Sequence, residues 1–225
     1  MLHRLRAPAV LLVVAMAAVL IPFSSPVASV PNVRTERIGG DDRYETAARI
    51  ARSTFSQADT ALLASGQNFP DALAGAALAG VRSAPVLLTQ PNALPGSTRD
   101  ALQTLQVKDV LILGGPAAVG ESVRATLISQ GYNVTRIEGA NRYGTAAEVA
   151  RRVALSGIGS LNGKRTAFLA SGQNFPDALA AGPLAYVGRH PVLLTPTGSL
   201  AAETAAALRD LQIQHVVILG GVFAV

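Results

Sequence analysis

The sequence LASGQNFPDALA fills residues 63–74 and returns without a single change at residues 169–180. Twelve identical letters at an offset of 106 indicate one structural unit that occurs twice. In each copy an apolar run leads into the turn-forming sequence Ser-Gly-Gln-Asn, and a proline follows shortly after. Proline suits the first position of a helix because its missing N–H would have no partner there, and Asp71 would then face the positive end of the helix dipole. The stretch predicts a strand, a turn and a helix, each used twice.

Apolar runs and helix-like segments alternate along the rest of the chain. The runs are continuously apolar, which is typical of strands buried on both faces. Such an alternation predicts the α/β class, with a parallel sheet covered by helices on both sides. The predicted strands of the first copy are Val33–Ile38, Ala61–Ala64, Pro85–Thr89 and Val110–Leu113. The predicted helices begin at Asp42, Pro70, Ser97 and Ala118. The helix that begins at Pro70 is predicted to end near Gly80.

Two tandem repeats account for the chain, one over residues 34–131 and one over residues 132–225. Residues 136–147 repeat the pattern of residues 37–48 at an offset of 99, so seven residues are gained before the second LASGQNFPDALA. The stretch Gly157–Arg165, rich in Gly, Ser and Asn, is the natural place for these residues. It is predicted to be a surface loop.

The second repeat is shorter than the first. Val225 aligns with Val119, so the last helix of the repeat is missing from this sequence. The strand predicted at His215–Leu219 would then keep one face partly bare, and exposed apolar patches are rare on monomers. We expect either a fragment with further repeats downstream or a chain that self-associates.

Residues 1–29 have the pattern of a secretory signal peptide. Arg4 and Arg6 precede an apolar run of thirteen residues, Ala9–Ile21, which is short of the roughly 20 residues that a permanent transmembrane helix needs. Small residues favour cleavage after Ser29. An uncleaved N-terminal anchor is the competing interpretation, and both imply export.

Composition and charge narrow the classes of function. With 49% hydrophobic residues the chain can bury a core, and without cysteine it has no disulfide, thiolate metal site or cysteine nucleophile. The formal charge of +5 falls by two, to +3, if Arg4 and Arg6 leave with the signal peptide. This mild basic excess allows an anionic partner but does not indicate nucleic acid binding.

An arginine–tyrosine pair follows a glycine turn in each repeat. The pairs are Arg43-Tyr44 and Arg142-Tyr143. At the carboxyl edge of a parallel sheet an arginine is well placed to bind a carboxylate or a phosphate. The structural alternative, which we favour, is an ion pair inside each repeat, Arg43 with Asp71 and Arg142 with Asp177.

A polar residue, an aromatic residue and an acid share the loop after the first long apolar strand of each repeat. They are Asn68, Phe69 and Asp71 in the first repeat and Asn174, Phe175 and Asp177 in the second. Carbohydrate sites use this combination, although Phe69 packing the loop onto the core is the favoured structural alternative. The candidate ligand-binding residues are Arg43, Tyr44, Asn68, Asp71, Arg142, Tyr143, Asn174 and Asp177.

Other chemistry has little support. The glycine turn Gly114–Gly120 lacks the G-x-G-x-x-G spacing and the later acid of a dinucleotide site. His190 and His215 do not recur between the repeats, and no nucleophile motif is present. We assign no catalytic residue, metal or cofactor, whereas a binding module gains avidity directly from duplication.

Four blocks of residues carry a family resemblance. They are Arg37–Ala47, Ala64–Leu73, Pro85–Thr89 and Val110–Gly115. These blocks resemble the cell wall-binding repeat 2 family, and the match covers nearly all of residues 34–225. The resemblance implies surface or secreted proteins of Gram-positive bacteria with three tandem Rossmann-like repeats around a pseudo-threefold axis. It also implies non-covalent attachment to anionic wall polymers, often beside an effector domain such as an amidase.

The sequence departs from that family pattern. It has fewer than two complete repeats and shows no effector domain, and Ala140 and Gly144 stand where the first repeat has Asp41 and Glu45. The leading hypothesis is a non-catalytic module that binds an anionic wall polymer or peptidoglycan. The alternatives are a peptidoglycan amidase or amidase modulator whose effector domain is absent, and a small-ligand receptor that uses the glycine turns.

Overall fold

The computed structural model describes residues 34–174 and 176–225, and the signal peptide predicted at residues 1–29 lies outside them. The described residues form two sheets of parallel strands packed against helices, which confirms the α/β fold with two repeats. The strands are β1 (Thr60–Ser65), β2 (Val86–Thr89), β3 (Asp109–Leu113), β4 (Asn133–Ile137), β5 (Ser160–Leu161), β6 (Lys164–Ser171), β7 (Val192–Thr195) and β8 (His215–Leu219). The helices are α1 (Arg43–Thr54), α2 (Pro70–Ala74), α3 (Ala76–Arg82), α4 (Gly96–Thr104), α5 (Glu121–Ser129), α6 (Arg142–Ala154), α7 (Pro176–Ala180), α8 (Gly182–Gly188) and α9 (Ala202–Asp210).

The chain divides into two compact units, Met1–Glu36 and Arg37–Val225. Of the first unit only residues 34–36 are described, and these are exposed and belong to no helix or strand. All the elements named above lie in the second unit.

The first sheet has the strand order β2-β1-β3-β4, and all its neighbouring strands are parallel. At its centre Leu62 of β1 lies opposite Val86 of β2. The edge strand β4 comes from the start of the second repeat, and its Ile137 lies opposite Leu113 of β3. The second repeat therefore completes the sheet of the first.

The strand predicted at Val33–Ile38 is not formed in its described part, residues 34–38, so that prediction is wrong. Its counterpart β4 is a strand because β3 of the preceding repeat offers hydrogen-bonding partners. No strand of the described chain pairs with residues 34–38. The side chains reflect this difference, because Ile137 is 3% exposed and Ile38 is 45% exposed.

The second sheet has β6 between β7 and β8, with both pairs parallel. A short hairpin extends β6, because β5 pairs antiparallel with its first residues. Asn162 and Gly163 form the two-residue turn with φ values of 52° and 73°, as Asn-Gly favours in a type I′ hairpin. The plain surface loop predicted at Gly157–Arg165 is therefore wrong in part, since the segment is exposed at its tip but includes strand structure.

The single helix predicted from Pro70 to Gly80 is two short helices, α2 and α3. Gly75 separates them. Its φ of −68° and ψ of −19° are still helical, but its N–H bonds to the carbonyl oxygen of Ala72, three residues back. This tighter bonding ends the first helix. No helix in the described ranges is both long enough and apolar enough to cross a membrane.

One apolar cluster joins the two repeats. It contains Leu78 and Leu113 from the first repeat and Val149 and Leu194 from the second. Separate clusters fill the outer face of each sheet, under α1, α4 and α5 in the first repeat and under α6 and α9 in the second. Where α3 meets α8, a Cβ on Gly80 would collide with a backbone carbonyl, so the two helices approach as closely as their main chains allow.

Candidate functional site

A serine holds the loop after the first strand of each repeat. Ser65 Oγ accepts hydrogen bonds from the backbone N–H groups of Gln67 and Asn68, both at 3.2 Å. In the second repeat Ser171 Oγ accepts the equivalent two bonds, at 3.2 and 3.3 Å. The predicted turns form in this way, and both present an exposed asparagine, Asn68 or Asn174.

The arginines of the arginine–tyrosine pairs bind the backbone of these loops. Nη1 of Arg43 donates to the carbonyl oxygen of Gly66 at 2.6 Å. Nη1 of Arg142 donates to the carbonyl oxygen of Gly172 in the same manner. Each arginine therefore ties the first turn of a helix to the strand–turn segment of its own repeat.

The ion pairs predicted inside each repeat are wrong. Among the described residues Arg43 forms no ion pair with Asp71, and Arg142 forms none with Asp177. The guanidinium that acts on Asp71 is that of Arg142, from the other repeat. The aspartate of the first repeat is therefore directed toward the start of the second.

Each tyrosine packs on a glycine of the same loop. A Cβ on Gly66 would collide with the ring of Tyr44, and one on Gly172 would lie 2.6 Å from Cε1 of Tyr143. Tyr44 is buried and Tyr143 is half-buried. Their rings thus support the loop from below, which explains the glycine in Ser-Gly-Gln-Asn.

Each aspartate of the repeated stretch lies against the glycine that follows a neighbouring strand. Gly114 follows β3 with a φ of 95°, and Gly220 follows β8 with a φ of 112°. A Cβ on Gly114 would collide with Oδ2 of Asp71, and one on Gly220 would lie 2.6 Å from Oδ2 of Asp177. Glycine is required here both for the positive φ and for the close approach.

A cavity of about 310 Å³ lies beside Asp71, where β1, β3 and β4 end. The chain leaves β1 toward β2 and returns on the other side to β3, so β1 and β3 flank the topological switch point of the sheet. Ligands of open α/β sheets bind at such a point. The lining residues are Asn68, Pro70, Asp71, Gly115, Ala117, Ala118, Gly139, Ala140, Asn141, Arg142 and Thr145. Both repeats contribute to this cavity.

The cavity combines the buried carboxyl group of Asp71 with the exposed guanidinium group of Arg142. Asp71 is only 8% exposed, and this burial raises the pKa of its carboxyl group, while the charge of Arg142 acts in the opposite direction. The exposed amide of Asn68 adds a neutral donor and acceptor. The arrangement can bind an anionic group at the guanidinium and a hydroxyl group beside it.

Asn141 caps the N-terminus of α6 at the rim of the cavity. Its Oδ1 accepts hydrogen bonds from the N–H groups of Tyr143 and Gly144, both at 2.9 Å. Its Nδ2 donates to Oε1 of Glu203 at 2.7 Å. The pKa of Glu203 is lowered by a hydrogen bond from its own backbone and by this one from Asn141, so the rim carries an ionised carboxylate at neutral pH.

The glycine turn after β3 makes a poor phosphate site. The N–H groups of Ala118 and Val119 both bond to the carbonyl oxygen of Gly115. Glu121 then places a negative charge in the first turn of α5, where it pairs with Arg136 at 2.8 Å. The turn serves instead as one wall of the cavity.

The structure brings three of the eight predicted site residues together, namely Asn68, Asp71 and Arg142. Arg43 lines a different groove of about 590 Å³, beside Phe69 and Leu179. Asn174 lies on the equivalent loop of the second repeat, after β6, and Asp177 lies in the first turn of α7. Phe175 lies outside the described residues.

The sequence indicates the glycine turn Gly114–Gly120 only as a weak anion site and gives no signal for residues 139–141, and the structure makes both segments walls of the cavity. Both segments directly follow predicted strands, so their place at the carboxyl edge of the sheet was available from the pattern. What the pattern lacked was the strand order that makes β1, β3 and β4 neighbours.

The histidines do not join the cavity lining. His190 is buried against the ring of Phe168, with ring centroids 5.2 Å apart. His215 contacts Oγ1 of Thr166 through Nδ1 at 3.2 Å. Within residues 34–174 and 176–225, no group of acidic and histidine side chains suited to a metal ion is found.

These features define an α/β repeat protein with a cavity built from turn residues of two repeats. The chain belongs to the cell wall binding domain 2 (CWB2) family, whose model matches residues 37–124 and 136–225. The predicted family resemblance is thereby confirmed. The chain therefore carries two copies of a cell wall binding domain.

Similar proteins agree with this class. The chain is 34% identical over 186 residues to N-acetylmuramoyl-L-alanine amidase LytC of Bacillus subtilis (strain 168), covering 83% of this chain and 36% of LytC. It is 35% identical over 191 residues to the amidase enhancer of the same organism, covering 85% of this chain and 25% of the enhancer. The chain thus spans less than half the length of the curated relatives it matches.

The fold also matches a solved structure. Cwp6 from Clostridium difficile superposes with a TM-score of 0.75 at 23% sequence identity, covering 88% of this chain and 32% of Cwp6. At that identity the match shows a shared fold.

Proposed function

We propose that this protein is secreted and holds itself on the wall of a Gram-positive bacterium by binding an anionic wall polymer, without catalysing a reaction. The observation that carries the proposal is the cavity between the repeats, where Asn68 and Asp71 of the first meet Arg142 of the second. Family membership supports the wall as the partner. The N-terminal pattern of residues 1–29 supports secretion.

The chemistry of the cavity fits a polymer that alternates anionic groups with hydroxyl groups. Among the described residues Arg142 commits one of its five N–H donors to Gly172, which leaves donors for a phosphate or carboxylate. The Asp71 carboxyl group and the Asn68 amide can exchange hydrogen bonds with neighbouring hydroxyls. The loops are exposed, so a long chain can pass over the cavity without threading into it.

We propose residues 34–131 and 132–225 as the two functional repeats, each supplying one side of the site. Arg43, Tyr44, Tyr143, Asn174 and Asp177 then act around the site rather than in it, by fixing loops or by facing a further repeat. Self-association or additional repeats would complete a threefold arrangement.

Retention on purified walls tests the role of Arg142. Arg142→Gln should weaken retention about tenfold or more, because a hydrogen bond to a charged group contributes about 1.5–3 kcal/mol. Arg43→Gln removes the equivalent loop hydrogen bond, beside Asn68, but leaves the guanidinium of the cavity in place, so it should weaken retention less than Arg142→Gln. Arg152→Gln makes the same change of charge at an exposed position of α6 and should retain binding within about twofold.

The outcome separates binding from folding. Circular dichroism of the three variants should show the same helix and strand content. Equal loss of retention in Arg142→Gln and Arg43→Gln would mean that the loop bonds matter and the cavity does not, which would refute the assignment.

The alternative is that the module serves peptidoglycan turnover, as part of an amidase or of an amidase modulator. The relatives favour it, because one is an amidase and another an amidase enhancer, and the chain spans only part of each. On this alternative an effector acts elsewhere and this chain supplies attachment. Incubation of the chain alone with wall fragments should release no muropeptides, and their release would replace the binding proposal by the enzymatic one.

A further inference from the structure

The glycine turn that follows β3 in the first repeat and β8 in the second has the same backbone shape in both. Gly114 and Gly220 open the two turns with φ values of 95° and 112°. Four residues later, the N–H groups of Ala118 and Ala224 each donate to the carbonyl oxygen of the residue after that glycine, at 2.9 and 2.8 Å. The residues inside the two turns therefore occupy matching positions.

One position of this turn carries a methyl group in the first repeat and an aromatic ring in the second. It is Ala117 in the first repeat and Phe223 in the second, at the same offset of 106 as the repeated stretch. Ala117 lines the cavity with Asn68 and Asp71. Phe223 is 93% exposed, and Val222 before it is 85% exposed. Two adjacent exposed apolar side chains, at a place that lines a cavity in the other repeat, indicate a binding surface.

Packing between repeats does not account for this exposed ring. In the first repeat both α5 and the following repeat are present, and Ala117 is exposed nevertheless. Pro116, which corresponds to Val222, is exposed as well. The position of Phe223 therefore faces solvent at the carboxyl edge of the sheet, outside the surface on which a following repeat packs.

A hydroxyl and an amide accompany the ring. Oγ1 of Thr197 lies 3.1 Å from the carbonyl oxygen of Ala224 and 3.3 Å from Oε1 of Gln173. Thr197 and Gln173 are both exposed. The first repeat has Pro91 where the second has Thr197, so this hydroxyl, like the ring, distinguishes the second repeat from the first.

This combination suits a sugar ring. One face of a pyranose ring presents C–H groups, which pack on the negative face of an aromatic ring. The hydroxyl groups at the edge of the sugar exchange hydrogen bonds with amide and hydroxyl side chains. A phenyl ring has no charge to attract a phosphate or a carboxylate, so its partner is the uncharged part of a polymer.

We propose that Phe223 stacks on a sugar ring of the anionic wall polymer, with Gln173 and Thr197 as hydrogen-bonding partners of the sugar hydroxyls. The inference rests on the proposed wall binding and names the part of the polymer that the second repeat recognises. Arg142 in the cavity between the repeats binds an anionic group, and Phe223 binds a sugar of the same polymer. The two repeats thus make different contacts with one ligand.

Retention on purified Gram-positive walls tests the ring. Phe223→Ala and Phe223→Leu should each weaken retention about three- to tenfold, the range expected for aromatic packing, whereas Phe223→Trp keeps a flat ring and should retain binding within about twofold. Val222→Ala, in the same turn, is the matched control and should also stay within about twofold. The loss in Phe223→Ala should be equal at low and high salt, because salt screens only charges.

Each outcome decides. If the unmodified protein is retained and Phe223→Ala is retained equally, the sugar contact is overturned while wall binding stands. If the unmodified protein is not retained at all, the wall-binding proposal fails and the sugar contact fails with it. Equal retention of Phe223→Leu and Phe223→Trp would overturn stacking. A loss in Phe223→Ala only on walls stripped of the polymer would assign the sugar to peptidoglycan and overturn the proposal.

A structural role of the ring is tested by melting. Because Phe223 is 93% exposed, Phe223→Ala should melt within about 1–2 °C of the unmodified protein. A Tm lower by many degrees would assign the ring to the fold and overturn its role in binding.

Fluorescence tests the contact directly. The chain has no tryptophan, so Phe223→Trp introduces the sole indole. Its emission should shift to shorter wavelength when polymer released from the walls by acid is added, because the ring leaves water, and inorganic phosphate should cause no shift. Leu155→Trp, 79% exposed at the far end of α6, is the control and should not respond. An unchanged emission of Phe223→Trp, or an equal shift in the control, would overturn the proposal.

Discussion

Leu78 and Leu184 occupy the same position of the two repeats and offer a matched test of the shared core. Leu78 is 1% exposed within the cluster that joins the sheets, whereas Leu184 is 66% exposed. Leu78→Ala should reduce the free energy of unfolding by about 2–5 kcal/mol, the usual cost of such a cavity. Leu184→Ala should cost less than about 1 kcal/mol, since only a third of that side chain is removed from water.

The difference should be visible in thermal unfolding followed by circular dichroism. For a chain of this size each kcal/mol lowers the Tm by about 2–4 °C, so Leu78→Ala should melt roughly 4–20 °C below the unmodified protein. Both changes lie on helices and replace leucine by a better helix former, so helix propensity cancels between them. The protein is held dilute so that Leu184 stays exposed to solvent. Equal losses for the two variants would refute the shared core.

Four further substitutions and one control test the loops. Gly114→Ala should destabilise the protein more than Gly131→Ala. Both glycines have a positive φ, of 95° and 89°, and the backbone strain of alanine there costs about 1–3 kcal/mol, but only a side chain at residue 114 would also collide with Asp71. Equal midpoints of urea unfolding for the two variants would contradict the contact with Asp71. Asp71→Asn should stabilise the protein at neutral pH: burial raises the pKa of the folded carboxyl group above its ordinary value of 3.8, so the contribution of this group to stability is fully present below that pH and is lost as pH rises through the folded pKa. The gain should vanish near pH 3, and a gain that grew in acid would reverse the assignment. Ser65→Ala and Ser171→Ala should each cost about 0.5–2 kcal/mol through loss of the turn hydrogen bonds, and unequal melting shifts would show that the two loops differ.

Sequence patterns predicted helices and strands correctly where neighbouring residues determine them, as at the start of a helix or along a buried strand. Asp42 caps α1 by accepting from the N–H of Glu45 at 2.8 Å, and the Glu45 side chain returns to the N–H of Asp41 at 2.8 Å. Pro70 opens α2 as expected. Continuous apolar runs became buried parallel strands, because a strand covered on both faces must be apolar throughout.

The remaining features depend on contacts between the repeats, which local patterns do not encode. The segment 34–38 and β4 have similar sequences, yet only β4 has a strand edge beside it. The sequence pattern predicts that Asp71 pairs with Arg43 of its own repeat. The strand order instead places Asp71 near Arg142 of the next repeat. The candidate residues were therefore identified one by one, whereas their grouping into a cavity required the tertiary structure.

Sedimentation of the protein with purified Gram-positive walls tests the central proposal most directly. One portion of the walls is left intact, and another is chemically stripped of its anionic polymer while the peptidoglycan is kept. We expect retention on intact walls that weakens as the salt concentration rises, and little retention on stripped walls. Equal, salt-independent retention on both preparations would contradict it and would assign binding to the peptidoglycan instead.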